Sequence, residues 1–153
     1  FLSMKLLKLQ LKILKKFLMF KKSFILIIIL LIISCNSNKN FIQFNGLYKS
    51  SKIDNSYYYY LRFYKNDSVI EVSSSGKPKH LKHWFSLKHQ NISKGSFILK
   101  KDSLYFEAKS IEGIVKYKGK INKGKLYLYH ESKINGYKSQ HIYNFKKIKF
   151  KQN

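Results

Sequence analysis

The chain has 153 residues, with 31 Lys and Arg against 7 Asp and Glu, a formal net charge of +24 and a single cysteine. The length allows one domain of ordinary size, and one cysteine excludes an internal disulfide framework or a cysteine-rich zinc module. An apolar fraction of 44% and an aromatic fraction of 16% are too high for a disordered chain.

The excess of basic residues comes almost entirely from lysine, because Arg62 is the only arginine. Phe, Ile, Lys, Asn and Tyr are abundant and have AT-rich codons, so a genome rich in AT accounts for the lysines without a polyanion partner. Specific readout of bases also relies on arginine forks. We therefore predict no nucleic-acid partner, while attraction to anionic head groups or polysaccharide stays open.

The first 18 residues begin with Phe1 and mix lysines with apolar side chains. Two interpretations are open for them. They are a basic amphipathic stretch that lies on a membrane, or they are translated from upstream of a true start at Met19. We prefer the second and treat residues 1–18 as an upstream extension.

Residues 19–34 have the organisation of a secretory signal peptide. Lys21 and Lys22 form a basic region, residues 24–33 are all apolar, and the small residue Ser34 follows. A helix that spans a bilayer needs about 20 apolar residues. Ten of them favour a cleaved signal helix over a permanent transmembrane helix.

The end of this segment, Ile32-Ile33-Ser34-Cys35, resembles the lipobox of bacterial lipoproteins. The resemblance implies cleavage between Ser34 and Cys35, a diacylglyceryl thioether on Cys35 and a stable lipid anchor in the membrane. Residues 35–45 are expected to be a polar tether. They contain no acidic residue, and by resemblance to sorting signals this favours an outer membrane, facing the periplasm.

From residue 46 onward apolar and polar residues alternate with a period of two, which is typical of strands. Turn residues separate these runs, because Asp, Asn and Gly accept left-handed backbone conformations. The pattern predicts an all-β fold, a single antiparallel meander of about eight strands. One short helix or helical turn near 79–88, across one end, interrupts it. The predicted strands are 47–52, 57–64, 68–72, 96–100, 104–109, 113–121, 126–131 and 141–148.

A meander of this length buries one face, and closure into a barrel removes its exposed edges. Gly46-Leu47-Tyr48 at the start of the first strand resembles the Gly-x-Trp of lipocalin-like, or calycin, barrels, with Tyr in place of Trp. The resemblance implies a small barrel over residues 46–150. Such a barrel is filled by side chains or holds one small ligand, and the abundance of Phe and Tyr favours a filled interior.

Aromatic residues on and near the second predicted strand supply the candidate contacts for a ligand or a surface. Tyrosine and tryptophan rings bind sugars and lipids by stacking, with a hydroxyl or N–H contact, and a guanidinium stacks on such rings. Ordinary sheet packing of the tyrosines and an exposed arginine are the alternatives. The candidates are Tyr58, Tyr60, Arg62, Tyr64 and Trp84.

Three histidines, His80, His83 and His89, surround Trp84. Imidazole is a common ligand of zinc and copper. No acidic residue in the neighbouring sequence completes a ligand set, so we interpret them as polar loop residues and predict neither a metal nor a cofactor.

Catalytic motifs are missing from the sequence. His130 and Glu131 are an adjacent acid–base pair, but neighbours on a strand point to opposite faces. No nucleophile elbow, zinc-protease motif or phosphate-binding loop is present. We therefore predict that the protein is not an enzyme.

Together these patterns predict a lipid-anchored lipoprotein of the bacterial envelope that binds a small apolar or amphipathic ligand. The alternative is a structural or interaction lipoprotein, with a filled barrel that docks an envelope protein or an anionic surface.

Overall fold

The computed structural model describes residues 41–150. In this part of the chain eight strands form a closed antiparallel barrel, in which each strand pairs with the next and the last pairs with the first. The predicted all-β meander and lipocalin-like barrel are confirmed. The strands are β1 (Gly46–Ser50), β2 (Tyr58–Phe63), β3 (Ser68–Ser74), β4 (Ser93–Lys100), β5 (Ser103–Ser110), β6 (Gly113–Asn122), β7 (Lys125–Ser132) and β8 (Lys138–Lys147).

Several predictions fall on residues outside the described part of the chain. They are the upstream extension 1–18, the signal peptide 19–34, the cleavage site at Ser34 and the lipidation of Cys35. Within residues 41–150, no helix is both long enough and apolar enough to cross a bilayer.

The two ends of the barrel differ in the length of their connections. Tight turns close one end, which we call the closed end. At one of these turns Lys123 and Gly124 have φ values of 48° and 74°, the left-handed pair of a two-residue hairpin turn. The connections 51–57, 75–92 and 133–137 surround the other end, which we call the open end.

Tyr48 seals the closed end from within. Its ring meets Phe63 and Phe145 edge-on, at centroid distances of 5.5 and 5.2 Å. Gly46 lets β1 approach β8 closely, because a Cβ atom there would lie 2.2 Å from the carbonyl oxygen of Lys146. The Gly-x-Tyr sequence therefore combines a close backbone contact with an inward aromatic plug.

The chain before β1 packs against the barrel at the closed end. Ile42 is buried in the interior core, and the backbone N–H of Gln43 donates a hydrogen bond of 2.9 Å to the Tyr48 hydroxyl. The folded domain therefore begins before residue 46, and the last residues of the predicted tether 35–45 belong to it.

Aromatic side chains fill the half of the barrel nearer the closed end. Phe63 meets Phe97 and Phe106 edge-on at 5.1 and 5.8 Å. Leu104, Ile121 and Leu126 are buried around them. The prediction of a filled interior therefore holds for this half.

A second apolar cluster lies on the outside of the barrel. A 3₁₀ helix, Pro78–Trp84, brings Leu81 and the following Phe85 against Leu47, Tyr60 and Ile70. Side chains alternate along a strand, and the sequence neighbours of these three belong to the interior core. The helix was predicted near 79–88 across one end of the barrel. It forms, but it lies on the outer face of β1, β2 and β3, which is apolar enough to bury it.

Candidate binding cavity at the open end of the barrel

A cavity of about 640 Å³ occupies the half of the barrel nearer the open end. Inward-facing residues of β2, β3, β6 and β7 form its floor, and the connections at the open end form its rim. The floor includes Tyr59, Glu71, Tyr117 and His130, and the rim includes Asp54, Tyr57, Trp84, Glu112 and Tyr137.

Glu71 is the buried carboxyl of the cavity floor. It shares the inward face of β3 with Val69 and is only 8% exposed. Its Oε2 atom accepts a hydrogen bond of 3.2 Å from the Ser93 hydroxyl. Burial raises the pKa of Glu71, and the neighbouring Tyr117 and Ser93 hydroxyls oppose this rise in part. The carboxyl therefore ionises at a higher pH than an exposed glutamate.

The hydroxyls of Tyr117 and Tyr143 are buried beside Glu71 without hydrogen-bond partners among the described residues. Tyr117 lies close enough to act on the charge of Glu71, but it does not reach the distance and angle of a direct hydrogen bond. Burial raises the pKa of both phenols well above the ordinary value. Each hydroxyl keeps its proton at neutral pH and can donate or accept a hydrogen bond.

His130 supplies a neutral imidazole to the same floor. Its Nε2 atom contacts the Ser139 hydroxyl, which also lies 2.7 Å from Nε2 of His141. Ser139 has one proton, so it donates to one imidazole and accepts from the other. Burial, and after it the neighbouring His141, lower the pKa of His130 to about 4. The Nδ1 atom of His130 is buried and has no partner among the described residues.

Aromatic rings form the wall between floor and rim. The ring of Tyr59 lies 5.0 Å from His130 and 5.5 Å from Tyr57, and the ring of Tyr137 lies 5.9 Å from His130. Trp84, 41% exposed, stands at the rim. The cavity therefore offers flat apolar surfaces above a polar floor.

The charges of the lining are opposite to those of the chain. Asp54, Glu71 and Glu112 are three of the chain's seven acidic residues, and the lining contains neither lysine nor arginine. A concave site with low-dielectric walls concentrates the field of its charges. The cavity therefore favours cations inside a protein whose net charge repels them.

Four of the predicted site residues lie away from the cavity. Tyr58, Tyr60 and Arg62 alternate with the inward-facing Tyr59 and Leu61, so they point outward from β2. Tyr64 follows the same outer face. Of the predicted set, only Trp84 lines the cavity.

Arg62 and its neighbours fasten the connection 75–92 and the C-terminal segment to the outer face. The guanidinium donates a hydrogen bond of 2.8 Å to the carbonyl oxygen of Phe85, and Tyr64 donates one of 2.7 Å to the same oxygen. The Arg62 guanidinium stacks on Phe150 at 3.5 Å and on Tyr64 at 4.6 Å. The Tyr60 hydroxyl donates to the carbonyl oxygen of Gly76 at 2.8 Å. The predicted stacking of Arg62 on a tyrosine is therefore present. Together, these contacts hold the connection 75–92 and the C-terminal segment against the outer face of the barrel.

Among the residues of the cavity floor, only His130 was singled out from the sequence, and only as a neighbour of Glu131, although strand alternation marks the inward-facing positions. His130 shares a face with Leu126 and Leu128, and Glu71 shares one with Val69. For β3 that signal is ambiguous, because Ile70 on the opposite face is also buried.

Two of the three histidines near Trp84 contact its ring, His83 at a tilt of 44° and His89 in a stack inclined by 22°. His83 and His89 lie 5.0 and 5.6 Å from its indole ring. Within residues 41–150, no group of three or more His, Cys, Asp or Glu side chains is placed to hold a metal ion. His130 and Glu131 point to opposite faces, as predicted: Glu131 forms an ion pair of 2.8 Å with Lys133 outside the barrel.

No protein-family model, curated protein or solved structure matches the chain.

Proposed function

We propose that the protein is a non-catalytic binding protein of the bacterial envelope, anchored through acyl chains on Cys35, which takes one small amphipathic molecule into the open end of its barrel. The observation that carries this proposal is the pair of unpartnered polar atoms at the cavity floor, the Tyr117 hydroxyl and Nδ1 of His130. Nearly all buried polar groups in proteins have hydrogen-bond partners. A ligand with polar groups at one end supplies the partners that the fold leaves out.

The dimensions and the walls of the cavity support the same function. A volume of about 640 Å³ falls within the range of about 300–1,000 Å³ that is typical of small-molecule sites. The aromatic rings of Tyr57, Tyr59 and Trp84 line the path from rim to floor, so an apolar part of the ligand has surfaces on which to stack.

The position of the N-terminal chain is compatible with an anchored receptor. Ile42 and β1 enter the barrel at the closed end, while the connections 51–57 and 133–137 surround the mouth at the open end. A tether that arrives at the closed end leaves the mouth accessible to molecules in the surrounding space.

A neutral aromatic alcohol, 2-phenylethanol, tests the cavity. We expect saturable binding to the full-length protein by NMR, with shift changes at cavity residues. Val115 lines the cavity, so Val115→Phe places an aromatic ring inside it and should weaken binding of the alcohol by at least about tenfold. Ile142→Phe is the matched control, because Ile142 is exposed on β8. An affinity that Val115→Phe leaves unchanged, or the absence of saturable binding both of this alcohol and of charged molecules with the same phenylethyl group, would refute the cavity as the binding site.

The anchor has its own test. We expect the intact mass of protein extracted from membranes to exceed the mass of the polypeptide from Cys35 onward by that of the attached lipid. Inhibition of lipoprotein signal peptidase leaves residues before Cys35 attached. An unmodified Cys35 in protein from the cytosolic fraction would remove this half of the proposal.

A basic groove on the outer face favours the second candidate function, docking to an anionic surface. It has a volume of about 1,280 Å³ and no acidic residue in its lining, and its basic residues are Arg62, Lys65, Lys82, Lys88, Lys147 and Lys149. Salt-sensitive binding to phosphatidylglycerol vesicles tests this candidate. We expect Lys82→Gln with Lys88→Gln to weaken it, while Lys118→Gln with Lys120→Gln on β6 does not.

A further inference from the structure

We propose that the ligand of the cavity is a protonated amine, whose ammonium group binds at Glu71 and whose apolar part stacks on the aromatic wall. The inference rests on the proposed binding function and adds the chemical class of the molecule that is bound. It is carried by three observations: the charge of the lining, the missing counter-ion of Glu71 and the acceptors on the cavity floor.

The lining is selective for positive charge. Asp54 and Glu112 stand at the rim and Glu71 at the floor, and no lysine or arginine lines the space between them. The chain carries 31 Lys and Arg, so a lining without basic side chains contrasts with the composition of the whole protein. An anionic ligand meets three carboxyls there, whereas a cation is drawn inward.

Glu71 has no positively charged partner within the described part of the chain, whereas two glutamates on the outer surface do. Among the described residues, Glu107 pairs with Lys116 at 2.9 Å and Glu131 pairs with Lys133 at 2.8 Å. Glu71 is more deeply buried than either and is contacted by neutral hydroxyls alone. A buried carboxylate without a counter-ion is costly, and an ammonium ion that enters the cavity removes that cost.

The floor presents acceptors that match an ammonium group. An ammonium has three N–H donors and no acceptor. Glu71 offers its carboxylate oxygens, Tyr117 offers its phenol oxygen and His130 offers Nδ1 in the tautomer that keeps the proton on Nε2. The neutral state of His130 matters, because an imidazolium at this place would repel the ligand. Tyr59 also lines the cavity, and an ammonium group within about 6 Å of the centroid of its ring would gain cation–π attraction.

Binding of an ammonium ion also moves a proton. The cation favours the ionised carboxylate, so a Glu71 that was protonated in the free protein loses its proton to solvent as the ion pair forms. The phenols of Tyr59, Tyr117 and Tyr143 lie close enough to the carboxyl to interact with its charge and are themselves neutral. His130 lines the same cavity, and Asp54 and Glu112 lie at its rim. Affinity for the amine therefore rises with pH until Glu71 is ionised in the free protein.

Three probes with the same phenylethyl group separate charge from apolar fit: 2-phenylethylamine, 2-phenylethanol and 3-phenylpropionate. Titration calorimetry uses the full-length protein in detergent micelles, with a protein-free micelle blank. We expect the amine to bind at least about tenfold more tightly than the alcohol, and the carboxylate to bind least. Glu71→Gln abolishes the preference for the amine over the alcohol. Glu107→Gln, on the outer face of β5, leaves that preference unchanged.

A second measurement needs no variant. Calorimetry in two buffers of different ionisation enthalpy counts protons. Repeated across a range of pH, it should show net proton release with the amine that grows as the pH falls, and none with the alcohol. Equal or tighter binding of the alcohol, or no proton release with the amine at any pH, overturns the amine inference and leaves the cavity as a binding site. Failure of all three probes to bind overturns the proposed function with it.

Discussion

The ring of Tyr117 lies parallel to that of Phe106, with centroids 4.4 Å apart and planes inclined by 10°. This stack joins the two halves of the barrel interior, because Phe106 belongs to the filled half and the Tyr117 hydroxyl reaches the cavity floor. The aromatic core therefore fixes the position of a polar atom that has no hydrogen-bond partner among residues 41–150.

Removal of that hydroxyl should stabilise the protein. Tyr117→Phe keeps the stack on Phe106 and deletes a buried polar atom that has no partner, so we expect the free energy of unfolding to rise by about 1 kcal/mol. Urea denaturation at pH 7 measures it. Tyr48→Phe is the matched control: its hydroxyl accepts a bond from Gln43, and its loss should cost about 1 kcal/mol. If the free energy of unfolding changed in the same direction in both variants, the difference between the two tyrosine hydroxyls would be contradicted.

Stability should depend on pH through two buried groups with opposite signs. The pKa of His130 is lowered to about 4 from 6.5, so between these values the unfolded chain binds the proton and the folded chain does not. The free energy of unfolding contributed by His130 therefore falls as the pH drops through this window, by roughly 1–2 kcal/mol after allowance for partial solvation. Glu71 acts in the other direction. Its pKa is raised above 4.5 in the folded state, so its contribution is full at low pH and is lost as the pH rises.

Two variants separate these contributions. We expect Glu71→Gln to steepen the loss of stability between about pH 6.5 and 4, since it removes the opposing contribution while His130 and His141, whose pKa values are both lowered by burial, still titrate. His130→Phe should remove the part of that loss that comes from His130. Denaturant midpoints measured at intervals across the range provide the test. A wild-type profile that neither variant changes would mean that both groups stay solvated in the folded protein.

Gly46 should tolerate no side chain. A Cβ atom there would lie 2.2 Å from the backbone oxygen of Lys146 and 2.6 Å from the Phe145 ring, so β1 and β8 would have to separate where the barrel closes. We expect Gly46→Ala to lower the free energy of unfolding by about 2–3 kcal/mol. At Gly136 no atom lies within 4 Å of such a Cβ. Gly136→Ala should cost only about 1 kcal/mol, from its φ of +72°, and a larger loss than at Gly46 would contradict this account.

Strand alternation predicted the barrel well because most strands have one buried face. Leu104, Phe106 and Ala108 point inward from β5 while their neighbours face solvent, and turn residues such as Gly124 mark where each hairpin reverses. β2 and β3 differ, because the 3₁₀ helix covers their outer face and both faces are buried. Alternation could not decide there which tyrosine points inward. Tyr58, Tyr60 and Arg62 were therefore chosen as the site in place of Tyr59 and Glu71, which only closure of the barrel brings together with His130.

Arg62→Lys should loosen the outer face without changing the barrel. A lysine keeps the charge but loses the planar contact with Phe150 at 3.5 Å, and a single ammonium does not reproduce the geometry of the guanidinium bond to the Phe85 carbonyl. We expect amide exchange to accelerate severalfold in residues 85–89 and 148–150, with a loss of about 1 kcal/mol in the free energy of unfolding. Amides of β5 and β6, on the far side of the barrel, serve as the internal reference. If amide exchange accelerated equally in both regions, Arg62 would support the whole fold and not only the attachment of these two segments.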